Sequence, residues 1–257
     1  MTFSEASRPL VVAHRGASVE QPENTIEAFA AAIDAGADAV EFDVRLTADG
    51  VPIVMHDPDV SRTTDGRGIV SALTLEEVRR LRIDLPGGGA AGVPTLDEAL
   101  GCLSGRAGVD IELKHGSDEP GNDALAAPAL EPALEAFDRA SFAGPVLLSS
   151  FDESTLLRAR SLRPSVPTGL LADARRDAAS ALEAAVRGHH AWVLPFVGQV
   201  LDAGPGFPGA VHDAGLRLGV WIADDEEMAG TLFSWGADAV ATNDPRAIVP
   251  VRDAVVA

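Results

Sequence analysis

Two carboxylates in one apolar run are the strongest local signal for chemistry in this sequence. Glu41 and Asp43 are two residues apart in a run typical of a buried strand, so their side chains point to the same side and would repel each other. A divalent cation between them would resolve this conflict, and Glu112, near the end of another apolar run, could supply a third carboxylate. All-oxygen coordination suits Mg²⁺ or Ca²⁺ better than zinc, so the sequence predicts one such divalent cation. The alternative is a structural network in which Glu41 pairs with Arg15 or Arg45.

Two histidines belong to the same charged clusters. His14 ends the first apolar run, and His56 follows a short extended segment. Histidine titrates near neutral pH, so two of them beside a reacting bond can act as general base and general acid. A lone histidine at the end of a strand would more often be a structural hydrogen-bonding group. The pair therefore predicts acid–base catalysis, and Asp57, directly after His56, could orient that ring or bind a neighbouring group.

Two cationic side chains are candidates for binding an anion such as phosphate. The planar guanidinium of Arg15 suits bidentate recognition of phosphate oxygens. Lys114 is the only lysine in a chain that otherwise uses arginine, and it lies two residues after Glu112 on the same side of the strand. We interpret Lys114 as a compact point charge directed at a developing negative charge, with chance usage of lysine as the alternative.

The predicted strands would gather these residues at one place. Strands are expected near residues 10–14, 39–45, 109–113, 145–149, 167–171, 191–194, 217–222 and 238–241. Eight strands that are mostly separated by helices indicate an α/β protein, a single (β/α)8 TIM barrel, with a doubly wound open sheet as the alternative. Because the charged residues fall near strand ends, they predict one shared site at the mouth of the barrel.

The segment between the second and third of these strands is longer than an ordinary loop. Residues 46–94 are therefore predicted to form a small insertion, with an extended segment over 52–56 and a short helix over 75–81. Helix starts are expected where a polar cap precedes an acid by three residues, at Asn24 with Glu27, Thr74 with Glu77 and Thr95 with Glu98. The chain has 257 residues, of which 46% are hydrophobic, so residues 1–257 are expected to form one barrel domain that carries this insertion.

The composition of the chain limits which binding partners and which cellular compartment are expected. The formal net charge of −19 argues against nucleic acid or an anionic membrane surface as the main partner, although cations inside a cleft can still bind a small anion. No apolar stretch approaches the roughly 20 residues of a membrane span, so no stable membrane insertion is expected, and the N-terminus lacks the features of a signal peptide. The single cysteine, Cys102, excludes an internal disulfide framework and predicts a cytoplasmic protein, while the oligomeric state stays open.

The motifs of the chain resemble those of the glycerophosphodiester phosphodiesterases, in the same order and over nearly the whole length. The matching motifs before residue 100 are His14-Arg15-Gly16, Pro22-Glu23-Asn24-Thr25, Gly36-Ala37-Asp38, Glu41-Phe42-Asp43-Val44, Thr47-Ala48-Asp49-Gly50, His56-Asp57, Arg62-Thr63-Thr64-Asp65-Gly66 and Val93-Pro94-Thr95-Leu96. Those after residue 100 are Ile111-Glu112-Leu113-Lys114, Ser149-Ser150-Phe151-Asp152, Val220-Trp221 and Thr242-Asn243-Asp244-Pro245.

This resemblance implies a barrel whose insertion is the family's small extra subdomain. It also implies roles for nine residues: metal ligands at Glu41, Asp43 and Glu112, an acid–base pair at His14 and His56, phosphate contacts from Arg15 and Lys114, Trp221 beside the alcohol portion, and Glu23 near the site in a role that we leave open. The chain departs from the family where Ile222-Ala223-Asp224 replaces the commoner Thr-Val-Asn. Asp224 is anionic where a neutral amide is usual, which puts the fit of the leaving alcohol in question.

The function that the resemblance implies is metal-dependent hydrolysis of a glycerophosphodiester, a small-molecule substrate of lipid and glycerol metabolism, to glycerol 3-phosphate and an alcohol. One alternative is a lysophospholipase D-type phosphodiesterase that uses the same metal and histidines on lysophospholipids. The other is a non-catalytic phosphodiester-binding barrel, which gives no reason for two histidines. Direct attack by water and prior formation of a cyclic phosphate by a glycerol hydroxyl are both compatible with these residues.

Overall fold

The structure is a computed structural model that describes Phe3, residues 7–114 and residues 129–256. Its strands in chain order are β1 (Leu10–His14), β2 (Ala39–Leu46), β3 (Pro52–Val54), β4 (Ile83–Asp84), β5 (Ala90–Ala91), β6 (Gly108–Leu113), β7 (Val146–Ser150), β8 (Thr168–Ala172), β9 (Trp192–Pro195), β10 (Arg217–Val220) and β11 (Ala239–Thr242). β1 pairs with β11 on one side and with β2 on the other, so the sheet closes on itself. The described residues therefore form the predicted (β/α)8 TIM barrel, made of β1, β2 and β6 to β11, and not an open sheet.

Helices follow the barrel strands and cover the outside of the sheet. They are α1 (Ile26–Asp34), α3 (Leu96–Leu103), α4 (Leu130–Ala140), α5 (Glu153–Leu162), α6 (Ala178–Arg187), α7 (Val197–Ala203), α8 (Phe207–Asp213), α9 (Glu226–Trp235) and α10 (Pro245–Val256), whereas α2 (Leu75–Val78) belongs to the predicted insertion. α6 is typical, because its buried alanines recur at spacings of three and four residues on the side that contacts β8 and β9. None of the helices in the described part of the chain is long and apolar enough to cross a membrane.

The interior of the barrel is filled by a separate apolar cluster. Trp192 of β9 is its largest strand residue, and the ring of Phe3 packs edge-on against Trp192 at a centroid distance of 6.5 Å. The neighbouring strands make room for Leu194 with glycine. A Cβ atom added at Gly169 or Gly219 would lie 2.7 Å or 2.6 Å from the Leu194 side chain, which is closer than packing allows.

The predicted insertion lies between β2 and β6 and has its own small core. β3 pairs antiparallel with β2, and β4 pairs with β5 in a short hairpin. Short 3-10 helices at Val60–Arg62 and Val70–Ala72 connect β3 to α2, which ends at Val78 and is shorter than predicted. The buried residues of this core are Ile53, Met55, Val60, Val70, Val78, Ile83, Ala91 and Val93.

Two of the three predicted helix caps are confirmed, and one is wrong. Thr74 and Thr95 each form a capping box with the acid three residues later. α1 is instead capped by Thr25, whose hydroxyl accepts a hydrogen bond from the backbone N–H of Ala28 at 3.1 Å. Asn24 precedes this cap with a φ of 59°, in the left-handed region, and its side chain points to a carboxylate described below. Sequence spacing alone could not separate two adjacent polar residues.

Removing the Thr95 cap should destabilise the fold measurably. The Thr95 hydroxyl accepts from the backbone N–H of Glu98, and the Glu98 carboxylate accepts from the backbone N–H of Thr95 at 2.8 Å. We expect Thr95→Ala to lower the free energy of unfolding by about 1 kcal/mol, measured by urea titration. Thr95→Ser keeps the hydroxyl and serves as the control. Equal stabilities of the two variants would contradict a contribution from the cap.

Candidate active site

The predicted site residues gather within β2, at the ends of β1, β6 and β10, and in the segments after β1 and β3. Strand register explains this convergence, because His14 lies level with Glu41 and Asp43 lies level with Glu112. A cavity of about 190 Å³ opens there. The predicted residues that line it are His14, Arg15, Glu41, His56, Glu112, Lys114 and Trp221. The remaining two, Glu23 and Asp43, form ion pairs with Arg15.

Three carboxylates form a compact buried cluster. One oxygen from each of Glu41, Asp43 and Glu112 lies within 4.8 Å of the others, and the three residues are only 7%, 0% and 6% exposed. Oε1 of Glu41 is buried and has no hydrogen-bond partner among the described residues. Burial, followed by the proximity of Asp43 and Glu112, raises the pKa of Glu41 well above its usual value. This set of buried oxygen donors fits a divalent cation.

Two cations lie against the same cluster. Nζ of Lys114 is 2.9 Å from Oδ1 of Asp43, and Lys114 also hydrogen-bonds Glu112. Nε of Arg15 is 3.2 Å from Oδ2 of Asp43, and its Nη1 donates to Glu23 at 2.9 Å. Burial alone would raise the pKa of Asp43, but Lys114 and Arg15 hold it well below its usual range. Two cations face three carboxylates, so ionising all three leaves a net negative charge that a divalent cation would offset.

Each histidine is held through its Nδ1 atom. Nδ1 of His14 is 2.8 Å from Oδ1 of Asn243, and Nδ1 of His56 is 2.6 Å from Oδ1 of Asp57. These contacts occupy Nδ1 of each ring and leave its Nε2 atom as the other ring nitrogen of a residue that lines the cavity. Burial, and then the neighbouring Arg15, lowers the pKa of His14 to about 4, and burial also lowers the pKa of His56. Both rings thus favour the neutral form, which can accept a proton.

Comparison with known proteins agrees with this geometry. Residues 14–247 match the model of the glycerophosphoryl diester phosphodiesterase family. The chain belongs to this family. A glycerophosphodiester phosphodiesterase of Caldanaerobacter subterraneus subsp. tengcongensis is 32% identical over 94% of this chain and 97% of its own length. One from Bacillus subtilis is 31% identical over 93% of this chain and 84% of its own.

Solved structures show the same fold. A putative glycerophosphoryl diester phosphodiesterase from Silicibacter pomeroyi superposes with a TM-score of 0.85 at 26% identity, covering 98% of this chain and 96% of the other. An Oleispira antarctica phosphodiesterase, solved in complex with the product sn-glycerol-3-phosphate, gives 0.83 at 27% identity and covers 97% and 99%. The prediction of a phosphoric diester hydrolase is confirmed by this membership.

Trp221 and Glu23 differ in the polarity of their surroundings in this phosphodiesterase: Trp221 packs against aromatic rings, and Glu23 pairs with arginines. The Trp221 ring packs edge-on between Phe151 and Phe196, at centroid distances of 5.6 Å and 5.5 Å, and its Nε1 donates to the carbonyl of Leu194 at 2.8 Å. These contacts fix the ring as an apolar wall of the cavity. Glu23 instead joins an ion-pair network that links Arg15 to Arg62.

Two asparagines of the family motifs contact the site, and sequence reasoning gave them no role there. Asn24 donates from Nδ2 to Oδ2 of Asp43 at 2.7 Å, which orients that carboxylate. Asn243, directly after β11, contacts His14. The available signal for Asn243 was its position, because residues that follow barrel strands face the mouth. For Asn24 the sequence gave no such signal. Its contact with Asp43 depends on a left-handed backbone conformation, which spacing along the chain does not reveal.

Asp224, whose effect the sequence left open, contacts residues at the end of β11. It is absent from the described lining of the cavity, and its carboxylate accepts hydrogen bonds from Thr242 and Asn243. One of its direct contacts is thus with Asn243, the residue that holds His14.

Proposed function

We propose that this phosphodiesterase hydrolyses glycerophosphodiesters to glycerol 3-phosphate and an alcohol, using a divalent cation and the pair His14 and His56. The observation that carries the proposal is the shared cavity, in which two oriented histidines lie beside a buried three-carboxylate cluster. The product bound to the Oleispira antarctica relative supports glycerol 3-phosphate as the product here.

Glu41, Asp43 and Glu112 are the proposed ligands of one Mg²⁺ or Ca²⁺ ion. Their donor set is entirely oxygen, and the unpartnered Oε1 of Glu41 is the atom that most needs a cation. When bound, the ion would neutralise negative charge that grows on the phosphate during attack. Asn24 would keep the Asp43 carboxylate in one orientation.

Arg15 and Lys114 are the proposed phosphate contacts. Both line the cavity, and both are held in place by ion pairs with Asp43. A cation whose position is fixed before the substrate arrives needs no reorganisation as charge develops on the phosphate. Glu23 contributes by holding the Arg15 guanidinium from its other side.

The two histidines are proposed to move the protons. One ring, neutral and protonated on Nδ1, accepts the proton of the attacking oxygen at Nε2. The other ring first takes up a proton from solvent, a form that the negative charge of the bound diester favours, and as imidazolium it donates from Nε2 to the departing alkoxide. Hydrolysis by water and passage through a cyclic phosphate both require these two transfers. Trp221 would cover the alcohol portion of the substrate.

The surroundings of the cavity favour small glycerophosphodiesters over lysophospholipids. A lysophospholipid would need an apolar surface next to the insertion for its acyl chain. The crevice between the insertion and the barrel is instead lined by charged residues, among them Arg62, Asp65, Arg82 and Asp84. The proposed partner is thus a small diester, and the formal net charge of −19 and the single cysteine support an enzyme that does not bind nucleic acid and works in the cytoplasm.

A substrate panel tests this function. The purified enzyme is assayed on the choline, ethanolamine and glycerol diesters of glycerol 3-phosphate and on a lysophospholipid, after chelation and re-addition of Mg²⁺, Ca²⁺ or Mn²⁺. We expect release of glycerol 3-phosphate from the small diesters only when a cation is present. Faster cleavage of the lysophospholipid would favour the lysophospholipase D-type alternative, and metal-dependent binding without alcohol release would favour a non-catalytic barrel.

A further inference from the structure

His14 is connected to a carboxylate outside the cavity. Oδ1 of Asn243 lies 2.8 Å from Nδ1 of His14. On its other side, Asn243 donates from its backbone N–H to Oδ1 of Asp224 at 2.7 Å and from Nδ2 to Oδ2 of Asp224 at 2.7 Å. Oδ1 of Asp224 also accepts from the hydroxyl of Thr242 at 2.9 Å. Asp224 thus holds both the backbone and the side chain of the residue that touches His14.

The carboxylate of Asp224 determines which way the Asn243 amide points. A carboxylate accepts hydrogen bonds and cannot donate them, so the amide turns its Nδ2 to Asp224 and its Oδ1 to His14. Oδ1 also accepts from the hydroxyl of Ser18 at 2.9 Å. Because an amide oxygen can only accept, Nδ1 of His14 must carry a proton. Nε2, which lies 3.9 Å from Oε2 of Glu41, is then the nitrogen free to accept a proton in the neutral ring.

We propose that Asp224 and Asn243 are positioning residues that fix the tautomer of His14, so that Nε2 exchanges the proton with the substrate. The inference rests on the catalytic role proposed for His14. The opposite tautomer of the neutral ring carries its proton on Nε2 and cannot accept a second one there. A fixed tautomer thus keeps the ring ready for proton transfer in every free enzyme molecule.

Asp224→Asn should reverse the orientation of the Asn243 amide, and with it the tautomer of His14, while keeping a side chain of similar size at position 224. The carbonyl oxygen of the new amide at position 224 must accept from the backbone N–H of Asn243 and from the hydroxyl of Thr242. The amino group at position 224 then faces the amino group of Asn243. Two donors repel, and the cheapest relief is rotation of the Asn243 amide, which then turns its Nδ2 to His14. Nδ1 of His14 can accept that hydrogen bond only in the opposite tautomer. The fold keeps its hydrogen bonds while Nε2 is blocked.

The double exchange Asp224→Asn with Asn243→Asp should restore the tautomer of His14 that carries its proton on Nδ1. The amide at position 224 then donates to the carboxylate at position 243, which again accepts from Nδ1 of His14 and from Ser18. The carbonyl at position 224 still accepts from Thr242 and from the backbone N–H of residue 243. This exchange also places at position 224 the neutral amide that resembling sequences more commonly have.

Steady-state kinetics with Mg²⁺ or Ca²⁺ present test the proposal. We expect Asp224→Asn to lower kcat at least about tenfold, as is typical when the group that orients a functional histidine is changed. KM should stay within about threefold, because no side chain that contacts the substrate is replaced. The double exchange should recover most of the lost kcat. Asp213→Asn removes the same charge from the exposed end of α8 and is the matched control.

The tautomer itself is measured by ¹⁵N NMR of histidine-labelled protein with the same ion present. The chain has only 6 histidines, and the His14→Ala spectrum assigns the His14 signals. The proton should lie on Nδ1 in the wild-type protein and in the double exchange, and on Nε2 in Asp224→Asn. An unchanged tautomer or an undiminished kcat in Asp224→Asn would overturn the proposal, as would a double exchange no more active than the single variant. Inactive wild-type enzyme would instead refute the proposed function, while the NMR result would still decide whether the network sets the tautomer.

Discussion

Replacing His14 or His56 by alanine lowers kcat at least about a hundredfold if the two rings divide the proton transfers as we propose. Both rings line the cavity, and the Nδ1 of each is held by an acceptor, so each presents its Nε2 atom to the substrate. Without one ring, water must accept or supply a proton that was transferred by an oriented group. The measurement is kcat for release of glycerol 3-phosphate, with circular dichroism to check that each variant folds.

The control for these variants is another histidine of the same chain. His189 is exposed and has a φ of 52°, so His189→Asn removes an imidazole while keeping a residue that tolerates the left-handed conformation. This variant should keep wild-type activity. Near-normal kcat in folded His14→Ala or His56→Ala would reject the acid–base role of that residue.

An activated substrate separates the acid from the base. The p-nitrophenyl diester of glycerol 3-phosphate releases a phenolate that needs little protonation, so the variant that lacks the general acid should recover much of its activity on it. The variant that lacks the general base should remain slow, because the attacking oxygen must still lose its proton, whatever the leaving group is. Equal losses on the activated and the alkyl diesters in both variants would contradict a division of roles.

The barrel could be predicted from the sequence because its strands are short apolar runs punctuated by helices. All eight predicted barrel strands lie within about two residues of the observed bounds, from 10–14 for β1 to 238–241 for β11. Glu41 and Glu112 could be placed together for the same reason, since both lie on strands of one parallel barrel that share its mouth. The alternation of apolar strands and helices in the sequence thus predicted where the site residues on those strands would lie.

The contacts between those residues could not be predicted in the same way. Lys114 was assigned to an anion from its rarity, yet its ion pairs with Asp43 and Glu112 depend on side-chain geometry that no spacing encodes. Asp224 was judged by its charge alone, and its partners Thr242 and Asn243 are about twenty residues away along the chain. Residues that orient catalytic groups are therefore found from the structure, after the sequence has located the groups themselves.

Glu41→Gln should separate cation binding from the stability of the metal-free fold. The Glu41 side chain is buried, its Oε1 has no partner among the described residues, and burial with the nearby Asp43 and Glu112 raises its pKa well above the usual value. Removing this charge relieves an unfavourable interaction when no ion is bound. We therefore expect chelated Glu41→Gln to be at least as heat-stable as the chelated wild-type protein.

The same variant should lose its response to the cation. A ligand that binds only the folded state stabilises it, so Mg²⁺ or Ca²⁺ should raise the Tm of the wild-type protein and not that of Glu41→Gln. Calorimetric titration should show weakened binding, and kcat should fall more than about a hundredfold, since a bound ion contributes several kcal/mol to the transition state. Glu183→Gln, on the exposed face of α6, is the matched control and should behave as wild type.

These outcomes distinguish a cation site from the structural ion-pair network that the sequence left as the alternative. If Glu41 served mainly to pair with Arg15, whose backbone N–H donates to Oε2 of Glu41 at 3.0 Å, then Glu41→Gln would lower the Tm of the chelated protein. It would also leave any cation-induced rise in Tm unchanged. A carboxylate kept buried beside two others, at a cost to the metal-free fold, is instead expected where the three together hold a divalent ion.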